Sequence, residues 1–378
     1  MPELANDNPS FVLHGIEDVK YEDRPVPEIS GEQVLVQIVK TGICGSDVHY
    51  LEHGRIGNFV LEKPMCLGHE SSGIVAKLGP DVKSSSGLKE GMRVALEPGV
   101  SCRVCGACKS GAYELCQHMS FAATPPTIYG TLARYYVLPA DLCHPIPDSV
   151  SFEDGAMIEP LSVGVHSVST LGQCKSNYTV VVFGCGPVGL LCMAVAKALG
   201  ARRVIAVDIN QERLEFAKNY AATDIYIPSK RNQDEDSDVY AARASEELRT
   251  ELGIPALGRG AIDLAIDATG APSCIAMSLH LLKPAGTFVA VGMGANLNIP
   301  VSFFQMITKQ LRLVGSFRYG QGDYEFAISL VERGLVDLKP LATHRYSFKD
   351  ALEAFEATKK GKGADGKAVI KCLIDAPQ

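Results

Sequence analysis

The chain of 378 residues is 46% hydrophobic and 21% charged, and its formal net charge is -7. This length exceeds one ordinary hydrophobic core, so we expect two domains, and the composition is typical of a globular α/β protein. The negative charge argues against nucleic acid or an anionic membrane as the main partner, and no window approaches the roughly 20 apolar residues of a membrane span. Because the start, Met1–Ser10, also lacks the apolar core of a signal peptide, we expect a soluble, cytoplasmic protein.

The chain up to Pro147 predicts an irregular, mostly β domain. A strand is predicted over Gln33–Val39, after a Ser-Gly turn, and Gly and Pro interrupt the many short segments that follow. Gly73–Gly79 and Met92–Leu96 predict two further strands that pair with one another. The stretch Ser84–Gly87 predicts the loop between them.

Two places in this domain carry residues that bind metals. Cys44 lies in a Gly-Ile-Cys-Gly-Ser-Asp segment, and His69 and Glu70 are adjacent. A thiolate, an imidazole and a carboxylate can hold Zn²⁺ and leave one coordination position open for a substrate oxygen. Alone, such residues occur by chance in many chains, so the inventory indicates a catalytic metal site only if the remainder of the chain supports it.

A stronger signal is a cluster of four cysteines with the spacing C-x2-C-x2-C-x7-C. The cluster consists of Cys102, Cys105, Cys108 and Cys116. Four thiolates within so short a segment can surround one Zn²⁺ tetrahedrally, with no position left for chemistry, and would stabilise a lobe of little apolar content at about residues 99–118. A fortuitous cluster or a redox pair is the alternative. The other cysteines outside both groups are predicted to pack as small hydrophobic residues: Cys66, Cys143, Cys174, Cys185, Cys192, Cys274 and Cys372.

From Tyr178 the pattern changes to strand, glycine loop and helix. An apolar strand, Tyr178–Phe183, precedes a G-x-G-x-x-G loop, and a helix is predicted over Leu190–Leu199. In this context the glycines admit a pyrophosphate at the helix N-terminus. The residues assigned to this contact are Gly184, Gly186, Pro187, Val188 and Gly189.

The next strand, Val204–Val207, ends at Asp208. An acidic residue at this position hydrogen-bonds the 2′-hydroxyl of the adenosine ribose and repels a 2′-phosphate, which predicts NAD and not NADP. Arg213 is a candidate for the outer edge of the ribose, and a solvated helix residue is the alternative.

The alternation of strands and helices continues. It comprises Ala261–Gly270, a helix near Ser273–Leu282 and the strand Gly286–Gly292, which together predict a parallel, doubly wound sheet with the cofactor at the carboxyl ends of its strands. Val291, Gly292 and Met293 lie at one such end and would admit the nicotinamide half. The charged stretch Lys230–Asp238 predicts an exposed connection.

The last part of the chain does not extend this sheet. After the strand Leu311–Ser316, helices are predicted near Tyr324–Arg333 and Phe348–Lys359, followed by a strand, Ala368–Ile374. These elements are expected to return to the first domain and complete it.

Several motifs together resemble the zinc-dependent medium-chain dehydrogenases, in particular the branch of sorbitol and xylitol dehydrogenases, and the fungal xylitol enzymes most of all. The matching segments are the glycine loop and Thr41–Asp47, His53–Phe59, Gly68–Glu70, Glu159–Gly164 and Gly315–Gly320. The resemblance implies a GroES-like, mostly β catalytic domain, residues 1–160 and 312–378, interrupted by a Rossmann domain, residues 161–311.

The resemblance also implies roles for individual residues. Cys44, His69 and Glu70 match the ligands of the catalytic zinc, and Glu159 matches a position that is a ligand in some members and a neighbour of the zinc-bound water in polyol dehydrogenases. Two anionic ligands leave the site roughly neutral, so we favour Cys44, His69, Glu70 and a water, with Glu159 bonded to that water or exchanging with it. Asp47 is expected to orient His69.

Proton release and substrate binding are assigned in the same way. Ser46 and His49 match a proton relay, although His49 is alternatively a polar surface residue. The substrate contacts that the resemblance implies are Tyr50, Phe59, Glu159, Phe317, Arg318 and Tyr319. Phe59 and Phe317 would form an apolar wall, and ordinary core packing is the alternative for both. Ser316, Phe317 and Arg318 are also expected to contact the cofactor.

The activity that the resemblance implies is oxidation of a polyol to a ketose, with NAD and two zinc ions per chain, in a homo-tetramer or homo-dimer. Xylitol oxidised to D-xylulose is the first expectation, and sorbitol or L-arabinitol is the alternative substrate. Two other functions are possible alternatives: a threonine dehydrogenase and a non-catalytic paralogue that binds NAD or zinc. The non-catalytic alternative predicts a damaged metal site, whereas this chain has all four residues, Cys44, His69, Glu70 and Glu159.

Overall fold

The computed structural model describes residues 4–294 and 298–377, and the chain divides into two compact units. The first unit comprises Met1–Glu159 and Gly320–Gln378, and the second comprises Pro160–Tyr319. Residues 1–3 and 378 of the predicted catalytic domain, and residues 295–297 of the predicted Rossmann domain, lie outside the described residues.

The N-terminal part of the chain is rich in short strands. In chain order they are β1 (Asn8–Gly15), β2 (Asp18–Arg24), β3 (Gln33–Gly42), β4 (Arg55–Ile56), β5 (Phe59–Val60), β6 (Met65–Cys66), β7 (Glu70–Leu78), β8 (Arg93–Leu96), β9 (Gly99–Val100), β10 (Ser120–Phe121), β11 (Tyr135–Pro139) and β12 (Cys143–Pro145). The helices of this part are α1 (Gly45–His53), α2 (Gly106–Lys109) and α3 (Phe152–Val165).

The middle of the chain alternates strands and helices. Its strands are β13 (Thr179–Phe183), β14 (Arg203–Val207), β15 (Asp224–Tyr226), β16 (Ile262–Asp267), β17 (Leu282–Ala290) and β18 (Arg312–Gly315). Its helices are α4 (Pro187–Ala198), α5 (Gln211–Tyr220), α6 (Ser237–Leu252), α7 (Pro272–Leu281) and α8 (Phe303–Thr308). The C-terminal part adds α9 (Asp323–Glu332), β19 (Ala342–Tyr346), α10 (Ala351–Lys360) and β20 (Lys371–Asp375).

The main sheet of the first unit has the strand order β12-β8-β7-β3-β20-β19, and β11 also pairs with β3. The C-terminal strand β20 lies antiparallel to β3, with Leu373 opposite Gly42, so the tail completes the sheet that the N-terminal part begins. The predicted return of the tail is therefore confirmed. The hydrophobic core of the first unit includes Phe11, Leu67 and Phe355, each no more than 1% exposed.

The sheet of the second unit has the order β15-β14-β13-β16-β17-β18, and all its strands run parallel. Residues Val180–Val182 of β13 are completely buried, as a central strand covered on both faces requires. The strand order reverses beside β13, which is the place where such sheets bind ligands at the carboxyl ends of their strands. The predicted α/β fold, with a GroES-like unit and a Rossmann-like sheet, is confirmed.

Two local features differ from the sequence prediction. The helix predicted from Leu190 begins at Pro187, because proline suits the first helical position. The helix α6 was not predicted, since its first turn belongs to the charged stretch; Asp236 caps this turn by accepting hydrogen bonds from the backbone N–H groups of Asp238 and Val239.

All twelve cysteines are free thiols. Those predicted to pack are buried, except for Cys174 and Cys274, which are partly buried.

Across residues 4–294 and 298–377, none of the helices has the length and apolar character needed to cross a membrane.

Candidate active site

Three predicted metal ligands come together in the first unit. Cys44 precedes α1, His69 precedes β7, and Glu70 is the first residue of that strand. The Cys44 sulfur, one His69 ring nitrogen and one Glu70 carboxylate oxygen all lie within 4.8 Å of one another. His69 is 6% exposed and Glu70 1% exposed. A buried thiolate, imidazole and carboxylate at this separation fit the donor set that zinc prefers.

Asp47 connects the segments that carry these ligands. Its carboxylate accepts a hydrogen bond from the backbone N–H of Cys44 at 3.2 Å and from that of Gly68 at 3.1 Å. One of its oxygens also lies 3.4 Å from Nδ1 of His69, which suits the expected orienting role. Gly68 has a φ of +89°, and a Cβ there would approach the backbone nitrogen of Leu132 to 2.9 Å, so this turn requires glycine.

The surroundings of His69 favour positive charge. Burial alone would lower the pKa of its imidazole, but the nearby charges of Asp47 and Cys44 raise that pKa well above its usual value. An anionic, buried pocket of this kind attracts a cation, and a metal ion would satisfy it while leaving the imidazole neutral.

Glu159 does not join this group of ligand atoms in the part of the chain that the structure describes. It belongs to α3 and is 6% exposed. Another residue, Lys371, contacts the group directly: its Nζ lies 2.7 Å from each carboxylate oxygen of Glu70. Sequence reasoning missed Lys371, although a lysine within the apolar run Ala368–Ile374 was a usable signal for a buried charge with a partner.

The four clustered cysteines also converge. Their sulfur atoms lie within 4.8 Å of one another, and the Sγ atoms of Cys102 and Cys108 are 3.9 Å apart. Ligands at the usual Zn–S distance of about 2.3 Å on a tetrahedral ion would be about 3.8 Å apart. Backbone N–H groups, that of Val104 foremost, lower the pKa of Cys102 to about 6, which favours the thiolate that zinc requires. This set fits a closed, structural zinc site.

A buried carboxylate fixes this four-cysteine lobe, residues 99–118, to the main sheet of the first unit. Glu97, which follows β8, accepts a hydrogen bond from the hydroxyl of Tyr113 in the lobe. Its other oxygen lies 2.7 Å from Nε2 of His144 in β12. Burial, and then the negative charge of Glu97, raise the pKa of Tyr113, so its hydroxyl remains a donor.

The predicted glycine loop lies between β13 and α4 in the second unit. Gly184 has a φ of +93°, and a Cβ on Gly189 would come within 1.9 Å of the carbonyl oxygen of Gly184. A Cβ on Gly186 would meet nothing within 4 Å, which leaves the open space that a pyrophosphate needs. Pro187 and Val188 begin α4, so the free N–H groups of this helix lie at the loop.

Asp208 follows β14 beside this loop. Its carboxylate accepts hydrogen bonds from the backbone N–H of Cys185 at 2.8 Å and of Asn210 at 2.9 Å, which fixes its orientation. A carboxylate so held can still accept from ribose hydroxyls, since each oxygen has a second lone pair. Arg213, in the first turn of α5, is exposed.

Val291, Gly292 and Met293 follow β17 at the same edge of the sheet. The backbone N–H groups of Val291 and Gly292 both donate to the carbonyl oxygen of Asp267 at 2.9 Å. A Cβ on Gly292 would approach the backbone nitrogen of Gly270 to 2.5 Å, so only glycine fits there. Met293 is 75% exposed.

The other predicted residues of the first unit lie on α1 and on the hairpin of β4 and β5. On α1, Ser46 and His49 are one turn apart, His49 is exposed, and its ring stacks on His53 with centroids 4.4 Å apart. Tyr50, on the same helix, is 2% exposed. Phe59 begins β5 and is 41% exposed, so the alternative of ordinary core packing is wrong for it.

The remaining predicted residues belong to the second unit. Ser316 follows β18, and its hydroxyl lies 3.0 Å from that of Ser167. Phe317 is 40% exposed and is likewise not a core residue. Arg318 places its guanidinium 4.7 Å from the centroid of the Phe317 ring and has a φ of +57°, an uncommon conformation for a residue with a side chain. Tyr319 is 2% exposed.

A β unit with a cysteine-histidine-glutamate group, together with a parallel sheet that carries a dinucleotide loop, defines the class of zinc-binding dehydrogenases. Comparison with known families agrees. Residues 30–148 match the alcohol dehydrogenase GroES-like domain, and residues 187–333 match the zinc-binding dehydrogenase domain. The chain belongs to this family of zinc-dependent, GroES-like alcohol dehydrogenases.

Individual relatives in the family are similar to this chain over nearly its whole length. The chain is 52% identical over 369 residues to a probable D-xylulose reductase A of Aspergillus clavatus, with 97% of this chain and 96% of the relative covered. It is 51% identical over 374 residues to the D-xylulose reductase A of Aspergillus oryzae, with 99% and 98% covered. Among solved structures, the L-idonate 5-dehydrogenase of Escherichia coli is similar, with a TM-score of 0.81, 29% identity, and 98% of each chain covered.

Proposed function

We propose that this chain oxidises a secondary alcohol of a polyol to a ketone and transfers the hydride to NAD, and that its reaction is the conversion of xylitol to D-xylulose. The observation that carries the proposal is the buried group of Cys44, His69 and Glu70 in a chain that also has the glycine loop and Asp208. The names of the relatives that are about half identical over the whole length support xylitol as the substrate.

Each residue of the first unit has a proposed task. Cys44, His69 and Glu70 hold the catalytic zinc together with a water, and Glu159 is hydrogen-bonded to that water or exchanges with it. Bound zinc supplies a Lewis acid that makes the alcohol more acidic, and bound NAD accepts the hydride. Ser46 and His49 carry the proton outward, and the exposure of His49 suits a group that passes a proton to bulk water.

We also propose which residues contact the substrate and the cofactor, again from the family resemblance. The residues that we propose to contact the polyol are Tyr50, Phe59, Glu159, Phe317, Arg318 and Tyr319. The residues that we propose to contact NAD are Gly184, Gly186, Pro187, Val188, Gly189, Asp208, Arg213, Val291, Gly292, Met293, Ser316, Phe317 and Arg318. The predicted domain limits are residues 1–160 with 312–378 and residues 161–311. We propose instead that the second domain extends to about residue 319, because β18 pairs with β17 in the sheet of the second unit.

We further propose a cytoplasmic homo-oligomer, a tetramer or a dimer. The absence of disulfides among the twelve cysteines supports a reducing compartment. Self-association is supported by an exposed apolar face on α8, where Phe303, Phe304 and Ile307 are at least 67% exposed, and by the position of β18 at the edge of its sheet.

A substrate panel tests the activity. The purified protein would be assayed for NADH formation with xylitol, sorbitol, L-arabinitol and threonine, and in parallel with NADP. We expect the highest kcat/KM with xylitol and NAD. Threonine as the best substrate would refute the polyol assignment, and no reaction with any compound would favour a non-catalytic paralogue.

Elemental analysis tests the metal assignment separately. We expect two zinc ions per chain, one in the group with Cys44 and one in the four-cysteine lobe. Cys44→Ser is expected to remove the first ion and the activity, whereas Cys102→Ser is expected to remove the second. One zinc per chain in the parent protein would contradict the assignment of two sites.

A further inference from the structure

A buried lysine, Lys371, binds the carboxylate of Glu70, which is one of the proposed zinc ligands. Lys371 is 5% exposed, and its Nζ contacts both carboxylate oxygens of Glu70 at 2.7 Å. The same Nζ donates to the carbonyl oxygen of Ile43 at 3.0 Å, directly before Cys44. All three donor positions of this ammonium group are thereby directed at the segments that carry the metal ligands.

The strand arrangement makes this contact possible. β3 lies between β20, which carries Lys371, and β7, which begins with Glu70. At the end of β3 stands Gly42, opposite Glu70 in the ladder. A Cβ on Gly42 would come within 2.3 Å of Oε2 of Glu70, so the missing side chain creates the space in which lysine and glutamate meet.

Lys371 is the cation of this buried contact, since lysine ordinarily carries a proton at neutral pH and its Nζ lies 2.7 Å from both oxygens of Glu70. With zinc present, the metal and Lys371 carry three positive charges, which match the thiolate of Cys44 and the two carboxylates. Asp47 is occupied separately by backbone N–H groups. Lys371 thus supplies a positive charge beside the metal ligands without occupying a coordination position.

We propose that Lys371 is a positioning residue that makes Glu70 the exchangeable ligand of the zinc site. The proposal rests on the zinc site of the proposed function and deepens it. A buried carboxylate that leaves a metal is normally stranded without a counter-charge, which is strongly unfavourable. Glu70 has an alternative partner in Lys371 on β20, so it can leave the metal and return while remaining paired. The position it frees is then available to a substrate hydroxyl or to Glu159.

The test follows ligand exchange directly in Co²⁺-substituted protein, whose visible spectrum depends on the number and kind of ligands. Adding xylitol to the parent protein is expected to give a difference spectrum, in which the four-cysteine site cancels. In Lys371→Met, Glu70 loses the cation that would receive it, so we expect it to stay on the metal. We therefore expect the variant to retain its metal by elemental analysis, to lose the difference spectrum, and to lose about 10- to 100-fold in kcat/KM for xylitol.

Two further variants distinguish the loss of the Lys371–Glu70 contact from a general effect of removing a buried lysine. Lys371→Arg keeps the charge and a two-point contact and is expected to restore the difference spectrum. Lys309→Met removes another partly buried lysine, which donates to the carbonyl oxygens of Leu279 and His280 in the second unit, and is expected to leave the spectrum unchanged. An undiminished xylitol difference spectrum in Lys371→Met overturns the proposal.

A double-mutant cycle covers the case in which Lys371→Met fails to fold or to bind metal. On a Glu70→Gln background the carboxylate is neutral, so Lys371→Met should then cause no additional loss of kcat/KM or metal. An additional loss as large as in the parent overturns the proposal. A parent protein that oxidises no polyol refutes the proposed function itself, whereas an active parent with an unaffected Lys371→Met variant refutes the role of Lys371 alone.

Discussion

The hydrogen bond from Tyr113 to Glu97 is expected to keep the four-cysteine lobe closed around its zinc. The bond joins a phenol in the lobe to a carboxylate that is 2% exposed, and the lobe has little apolar content of its own. A hydrogen bond to a charged group contributes about 1.5–3 kcal/mol. Tyr113→Phe should therefore favour opening of the lobe by about 10- to 150-fold, because each 1.4 kcal/mol is a factor of ten.

The assay is the rate at which zinc passes from the lobe to a coloured chelator. It would be run on a Cys44→Ser background, so that only the zinc of the lobe is counted. Tyr129→Phe is the matched control, since the side chain of Tyr129 is 57% exposed and the change removes the same atom. We expect faster release from Tyr113→Phe alone. Equal rates in all three proteins would refute the idea that Glu97 fixes the lobe.

Three other changes have sharp expectations. Gly189→Ala, whose Cβ meets a backbone oxygen at 1.9 Å, should abolish NADH binding in a fluorescence titration, whereas Gly186→Ala, with open space around it, should retain more of it. Asp208→Ser should lower kcat/KM for NAD about tenfold or more and raise it for NADP, since a charged acceptor is removed. The hydrogen bonds from Arg345 and its charge lower the pKa of Glu153, although burial opposes them. Glu153→Gln should therefore melt below the parent at neutral pH. The difference should start to shrink as the pH falls through the ordinary glutamate pKa, about 4.3, and should vanish only below the lowered pKa of the folded protein.

The sequence predicted elements whose burial is uniform and missed those whose first residues are polar. β13 was evident because every residue of Thr179–Phe183 is buried, so the strand shows as an unbroken apolar run. In contrast, α6 begins with Ser237 and Asp238, and its buried residues appear only from Tyr240 onwards. The start of β17 at Leu282 was also missed, because Ala285 within it has a φ of +61°, which no propensity indicates.

The same contrast applies to the site. The four cysteines, the glycine loop and the His69-Glu70 pair are each contained in a short segment, so their spacing alone indicated which chemistry they could perform. The contact between Glu70 and Lys371 joins residues 301 positions apart. It depends on β20 returning to lie beside β3, and no local spacing encodes that return.

The contact between Lys371 and Glu70 affects the charge balance of the proposed zinc site. Two anionic ligands neutralise Zn²⁺, so a second carboxylate nearby, Glu159, would give the buried pocket a net negative charge unless it were protonated. Lys371 supplies the missing positive charge from the strand on the other side of Gly42. It does so without occupying a coordination position, because its ammonium group cannot bind a metal while it is protonated. In the proposed zinc site, Lys371 would therefore balance the charge of a carboxylate that is not bound to the metal.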